Sequence, residues 1–226
     1  MAISLASSAV NLSVAQINNP LPHQNFPKPE DKFEYSSIKA HGPLLDYVFS
    51  VRYDSYSADN YIEKNASRRF MDEFDGTPNC HSFLVYCRKK LIGSIRSCVY
   101  NPEQDYRIPV MDVFEQELKE NVGMDGVVVE ANKFVVHPEF QRQGGVKARF
   151  SIYRNVIESA IREKARCIVV AVRPAHVKFY RMFHMYPMSD AKSYPHLNFQ
   201  TVLMACHDIE ASRDFIWSKT GDYSNS

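Results

Sequence analysis

No stretch of this 226-residue chain approaches the roughly 18 consecutive apolar residues of a membrane-spanning helix, so no membrane span is expected. Charge of one sign is lacking too: 27 Lys and Arg stand against 26 Asp and Glu, for a formal net charge of +1. That balance gives no global field to attract nucleic acid, and no nucleic-acid partner is expected. The five cysteines, Cys80, Cys87, Cys98, Cys167 and Cys206, include no C-x-x-C pair. They read as reduced thiols in a reducing compartment rather than as a zinc site. The eight histidines show no His-x-x-x-His spacing, so no metal is expected. The N-terminus lacks the charged region of a secretory signal, and the expected location is cytoplasmic.

What is present is a globular composition, 45% hydrophobic and 23% charged, enough to bury a real core. Residues 1–32 carry Pro20, Pro22, Pro27 and Pro29 and read as a flexible arm or lid. A folded domain is expected over 33–210, and a C-terminal tail over 211–226. The first strand is placed near Phe33–Ala40 and a helix over Gly42–Ala58, followed by a polar linker with Asp72, Asp75 and Gly76. Ser82–Tyr86 and Leu91–Tyr100 form a hairpin around Arg88-Lys89-Lys90. A short helix follows near Met111–Glu120.

Gly126–Val136 is the clearest strand, and His137-Pro138 ends it. A long helix spans about Val146–Lys164, with Val146, Phe150, Tyr153, Ile157 and Ile161 as its apolar stripe. Cys167–Val172 is a buried strand of parallel type. A helix with Pro in its first turn covers Pro174–Phe183, and a last strand covers Asn198–His207. This order predicts an α/β fold with a mixed sheet flanked by helices.

Two features carry chemistry. Arg142, Gln143, Gly144 and Gly145 stand between a strand and a helix start. There glycine permits close approach to backbone N–H groups that suit a phosphate. Glu130 interrupts an apolar strand, where a carboxylate is costly unless it is paired or faces a cavity. Burial would raise its pKa and fit it to take a proton from an amine, and a structural ion pair with an arginine is the alternative. Strict alternation would separate Glu130 from Lys133. A bulge between them would turn both into one cleft and free backbone N–H groups at Phe134, Val135 and Val136 to bind a thioester oxygen.

The segment Val135–Ala148 resembles the pyrophosphate motif of GNAT acyltransferases, except that Val146 replaces its small last residue. A wider pattern resembles the acyl-homoserine-lactone (autoinducer) synthases. It comprises the helix Val48–Tyr56 with Arg52, the pair Asp72 and Asp75, Gly93-Ser94-Ile95-Arg96, and Glu130-Ala131-Asn132-Lys133. Lys133 stands where that family has Arg, and Tyr61-Ile62 stands where it has a tryptophan. The chain more closely resembles the related long-chain N-acyl amino acid synthases, also through Ala171–Tyr180.

The resemblance implies a GNAT-like (acyl-CoA N-acyltransferase) fold and no tightly bound cofactor. It implies an acyl-pantetheine thioester co-substrate, carried by acyl carrier protein or CoA, and an amino acid as acceptor. It implies Glu130 as base and Tyr180 as a proton donor to the leaving thiolate, although His184-Met185 departs from the usual Gly-Phe. Arg52, Asp72, Asp75, Arg96 and Lys133 become a charged network that braces the cleft and can hold the acceptor carboxylate. A basic cluster, including Lys147, Arg154, Arg162 and Arg166, offers a face for an acidic carrier protein, unless it is only a solvated helix surface. An acyl-homoserine-lactone synthase, a small-amine acetyltransferase using acetyl-CoA and a non-catalytic thioester-binding module remain as alternatives.

Overall fold

β-Branched and aromatic residues dominate the middle of the chain, and they assemble one sheet. The computed structural model describes residues 35–141, 145–194 and 196–221. Its strands are β1 (Tyr35–Lys39), β2 (Cys80–Cys87), β3 (Lys90–Tyr100), β4 (Val128–Val136), β5 (Cys167–Val172), β6 (Tyr186–Pro187), β7 (Lys192–Ser193) and β8 (Gln200–Cys206). The sheet order is β1-β2-β3-β4-β5-β8-β6, with β7 also paired to β8. Only β4–β5 is parallel. Helices α1 (Leu44–Ala58), α2 (Met111–Glu117), α3 (Pro138–Gln141), α4 (Gly145–Arg162), α5 (Val177–Tyr180) and α6 (Ile209–Thr220) flank it. The mixed, helix-flanked GNAT-like sheet expected from the sequence is therefore present. The proposed arm at 1–32 lies outside the described residues.

Four differences have physical reasons. The β2–β3 hairpin turns on Arg88 and Lys89, both at positive φ (49° and 68°), as a two-residue primed turn requires, and Lys90 already belongs to β3. In α4, Phe150, Tyr153 and Ile157 are buried, but Val146 and Ile161 at the ends of the expected stripe are 48% and 45% exposed. The buried face is completed instead by Ile152, Val156 and Ala160. The expected helix over 174–183 is one turn of α-helix between two 3-10 turns. Most of the expected tail at 211–226 is α6: the Asp208 carboxylate accepts from Ala211 N (2.9 Å), Gly221 ends the helix at φ 76°, and Ile216 is buried.

The cysteines need a correction. Cys80 and Cys98 are 18 residues apart, but β2–β3 register sets them opposite one another with Cα atoms 4.1 Å apart, and they are disulfide-bonded. Sheet register, not sequence spacing, makes the pair. Cys87, Cys167 and Cys206 are free and buried.

The feature that shapes the cleft is a bulge. Ser94 pairs with Val135 and Arg96 with Asn132, so Lys133 and Phe134 together stand opposite Ile95 alone. Lys133 adopts φ 49°, in the left-handed region. Gly93 makes this possible on the other strand: a Cβ there would lie 2.2 Å from Val135 O and 2.7 Å from Ile152 Cδ1. The Gly-x-x-Arg spacing thus straddles the bulge. Gly93→Ala should force β3 and α4 apart and cost about 1–3 kcal/mol, the usual range for overpacking. Thermal unfolding of the variant checks this.

Candidate active site

β4 and β5 run together only from Val128 to Glu130, paired with Cys167 to Val169. Beyond that point β5 continues with β8 to Val172, while β4 bends at its bulge toward β3. The gap between them is a cavity of about 450 Å³, whose walls include residues 131–136 of β4 and 170–172 of β5. Volumes of this size suit small-molecule ligands. The expected residues Phe134, Val135 and Val136 all line it, as do Glu130, Lys133, Asp72, Arg96 and Tyr180. Arg142, Gln143 and Gly144 lie outside the described residues, and α4 opens at Gly145.

Glu130 sits where the two strands part, with 1% of its surface exposed. Oε2 accepts from Val110 N (2.9 Å), at the start of α2, and Oε1 accepts from Asn132 Nδ2 (2.8 Å). Burial pushes its carboxyl up to about 7, against those two hydrogen bonds and the more distant charge of Arg96. Among the described residues no arginine forms an ion pair with it. Asn132 had no assigned role from the sequence, but its place two residues after Glu130 puts both on one strand face. It links the carboxyl to the charged network: Arg96 Nε donates to Asn132 Oδ1 at 2.7 Å.

The network itself is buried. Arg52 and Arg96 are both 0% exposed. Arg52 Nη1 bridges Asp75 at 2.8 and 3.0 Å, and its Nη2 donates to Ser82 Oγ at 2.7 Å. Arg96 grips both oxygens of Asp72 at 2.5 and 3.0 Å and reaches Asp75 at 2.9 Å. Lys133 Nζ completes the chain to Asp72 at 3.1 Å and lies 4.0 Å from the centre of the Phe70 ring.

The Asp-x-x-Asp spacing has a local cause. Asp72 caps the 3-10 turn Glu73–Gly76 by accepting from Phe74 N, and Asp75 returns the bond to Asp72 N. Burial pulls Asp72 upward, but the hydrogen bonds and charges of Arg96 and Lys133 outweigh it and hold its carboxyl well below the usual range. Burial lowers Lys133 to about 8, with Asp72 opposing the shift.

These contacts tie α1, the turn Glu73–Gly76, β3 and β4 together. The Nη groups of Arg52 are turned to Asp75 and Ser82 and the donors of Arg96 to Asp72, Asp75 and Asn132, while Arg52 Nε has no hydrogen-bond partner among the described residues and Arg52 is not in the cavity wall. Tyr180 touches the cavity but is 5% exposed, and its ring packs among Tyr153, Phe179 and Phe183. Burial raises its hydroxyl pKa. Of the apolar residues near the cleft, Val170 and Phe179 line the cavity, while Phe150, Ile168 and Phe183 sit in the core. Three cations of the expected carrier face are paired on their own surface: Arg154 with Glu158, Arg162 with Glu163, and Arg166 with Asp125. Among the described residues no cluster is placed to hold a metal, and no helix is long and apolar enough to cross a membrane.

The model of the family described as N-acyl amino acid synthase FeeM matches residues 47–207. The chain belongs to this family. Like the family, this FeeM-type chain is an N-acyltransferase. No curated protein matches it in sequence. Among solved structures it is similar to FeeM, an N-acyl amino acid synthase from uncultured soil microbes. That likeness has a TM-score of 0.64 and 16% identity, over 84% of this chain and 96% of the other. The CoA-dependent acyl-homoserine lactone synthase BjaI, solved with MTA, gives a TM-score of 0.63 at 13% identity, over 85% and 91%. MesI, a second CoA-dependent acyl-homoserine lactone synthase, gives 0.57 at 17%, over 79% and 88%. These likenesses show a shared fold.

Proposed function

We propose that this N-acyltransferase moves a long-chain acyl group from an acyl carrier protein or CoA thioester to the α-amino group of an amino acid. The observation that carries the reading is Glu130: a buried carboxyl, poised near neutrality, in the wall of the gap between β4 and β5. An α-ammonium group must lose a proton before its nitrogen can attack, and a base of pKa near 7 takes it at neutral pH. The nitrogen then attacks the thioester carbonyl carbon, the C–N bond forms, the C–S bond breaks, and the pantetheine sulfur leaves as a thiolate that takes up a proton. The edge of β4 past the bulge, near Phe134 and Val135, supplies N–H groups for the thioester oxygen. Phe134, Val170 and Phe179 form an apolar wall suited to an acyl tail, and the start of α4 suits the pantetheine phosphate.

The test supplies purified protein with long-chain acyl carrier protein, or separately long-chain acyl-CoA, plus the twenty amino acids and S-adenosylmethionine. Mass spectrometry reads the products. One dominant N-acyl amino acid is the expected result, and the productive donor names the carrier. An acyl lactone, or no product with either donor, would overturn the reading.

A further inference from the structure

The acceptor carboxylate needs a cation, and most of those in the cavity wall are committed. Arg96 is saturated by Asp72 and Asp75, Lys133 is held by Asp72, and Arg149 is already engaged. Lys192 on β7, which pairs with Thr201, is spent on Glu117.

Arg173 is different. It follows β5 directly and lines the cavity. Its guanidinium lies 4.2 Å from the centre of the Tyr61 ring and 5.7 Å from that of Phe199. Nη2 sits 2.7 Å from His176 Nε2; burial and the neighbouring charges of Arg173 and Arg149 lower the pKa of His176, which suits its ring to accept that hydrogen bond. Among the described residues no carboxylate bridges Arg173. A planar cation held against two aromatic rings, with N–H groups left over from its one hydrogen bond, is prepared for bidentate capture of a carboxylate.

A second observation falls at the same place. Thr201 also lines the cavity, is 1% exposed, and its hydroxyl has no hydrogen-bond partner among the described residues. A buried hydroxyl left unpaired is costly unless a ligand satisfies it. Val172 pairs with Val202, so Arg173 stands one register step further, opposite Thr201. Alternation from Val169, the register partner of Glu130, puts Arg173 on the sheet face that carries Glu130. Four residues of strand separate their backbones by about 13 Å, a span that the two side chains and a bound amino acid bridge.

We propose that Arg173 and Thr201 form the subsite for the α-carboxylate of the acceptor, and so set its preference for amino acids over simple amines. This deepens the function proposed above and rests on it. The experiment offers the protein and its Arg173→Gln, Arg173→Lys and Thr201→Val variants an equimolar mixture of the twenty amino acids and their α-carboxamides, with the productive acyl donor. Products are read by mass spectrometry, and KM and kcat are then measured for the leading acid.

The parent should acylate the acid in preference to its carboxamide. Arg173→Gln should lower that ratio about ten- to a hundredfold, with the loss in KM for the acid rather than in kcat. Thr201→Val, which keeps the shape, should lower it less, and Arg173→Lys should restore part of it. If the parent makes no acyl amino acid, the function proposed above falls and this subsite with it. If the parent makes the acyl amino acid while Arg173→Gln and Thr201→Val keep its ratio, the subsite alone is overturned.

Discussion

Glu130→Gln should lower kcat/KM for acyl transfer by about 10²- to 10⁴-fold, the range for a positioned general base. Gln keeps the size of the side chain and loses its basicity. In the parent, kcat/KM should rise with pH through about 7, because the carboxylate form is the active one and burial sets its pKa there. The variant should lack that limb. The same shift has a stability consequence of opposite sense. The ordinary value for this group is 4.5, so between pH 4.5 and about 7 the unfolded chain has released a proton that the folded chain still holds. The contribution of Glu130 to stability is full below pH 4.5 and is lost as pH rises through about 7. Thermal unfolding of parent and variant at pH 5 and pH 8 should therefore show the melting temperature of the variant gaining on that of the parent at the higher pH. A base that costs stability in its active form is expected where function, not packing, keeps a carboxyl in an apolar strand. An unchanged rate in Glu130→Gln would remove the general base from the mechanism.

Arg96→Met should be the most destabilising single change in the site. Arg96 holds Asp72 at 2.5 Å and Asp75 at 2.9 Å, and Asp75 is 2% exposed, so its removal breaks two buried ion pairs and leaves Asp72 with Lys133 alone and Asp75 with Arg52 alone. Breaking a buried ion pair from one side costs about 3–5 kcal/mol, because the orphaned charge stays desolvated. At about 2–4 °C per kcal/mol for a chain of this length, the melting temperature should fall by roughly 6–20 °C. The parent should also lose stability in acid. The Asp72 carboxyl is held below its ordinary 3.8, so its contribution is present above pH 3.8 and is lost as pH falls below it. That acid limb should be shallower in Arg96→Met. Because Arg96 also positions Asn132, and Asn132 bonds to Glu130, its activity should drop beyond what the unfolded fraction explains.

How far this chain could be read without coordinates depended on whether the signal was local. Alternation and β-branching over residues 80–100 and 128–136, and helical spacing in α1 and α4, are short-range patterns, and they yielded the α/β sheet and the order of its parts. Glu130 was legible because one carboxylate in an apolar strand is an anomaly at any register. The α6 helix was legible as well, with Asp208 before it and Gly221 after it, and went unread because it follows the last strand of the expected domain. The disulfide between Cys80 and Cys98 was not legible, since only β2–β3 register brings residues 18 apart within bonding distance.

For the site the division is sharper. Residue types and spacing determined that this chain builds a mixed sheet and marked Glu130 as an anomalous carboxyl, while the resemblance to the acyl-homoserine-lactone synthases, not spacing by itself, grouped Arg52, Asp72, Asp75, Arg96 and Lys133. Tertiary structure alone decided what the charges are free to do. Arg52 and Arg96, candidates for holding a substrate carboxylate, have most of their donors turned to Asp75, Ser82, Asp72 and Asn132, a pairing set by packing. Arg173 and Thr201 had no such mark in the sequence, and became candidates through β5–β8 register, the Tyr61 and Phe199 rings and a hydroxyl left without a partner. The physical reason is that a charge or a hydroxyl is defined by its partners. Partners far apart in sequence are chosen by packing, while the propensity to form strands and helices is written in neighbouring residues.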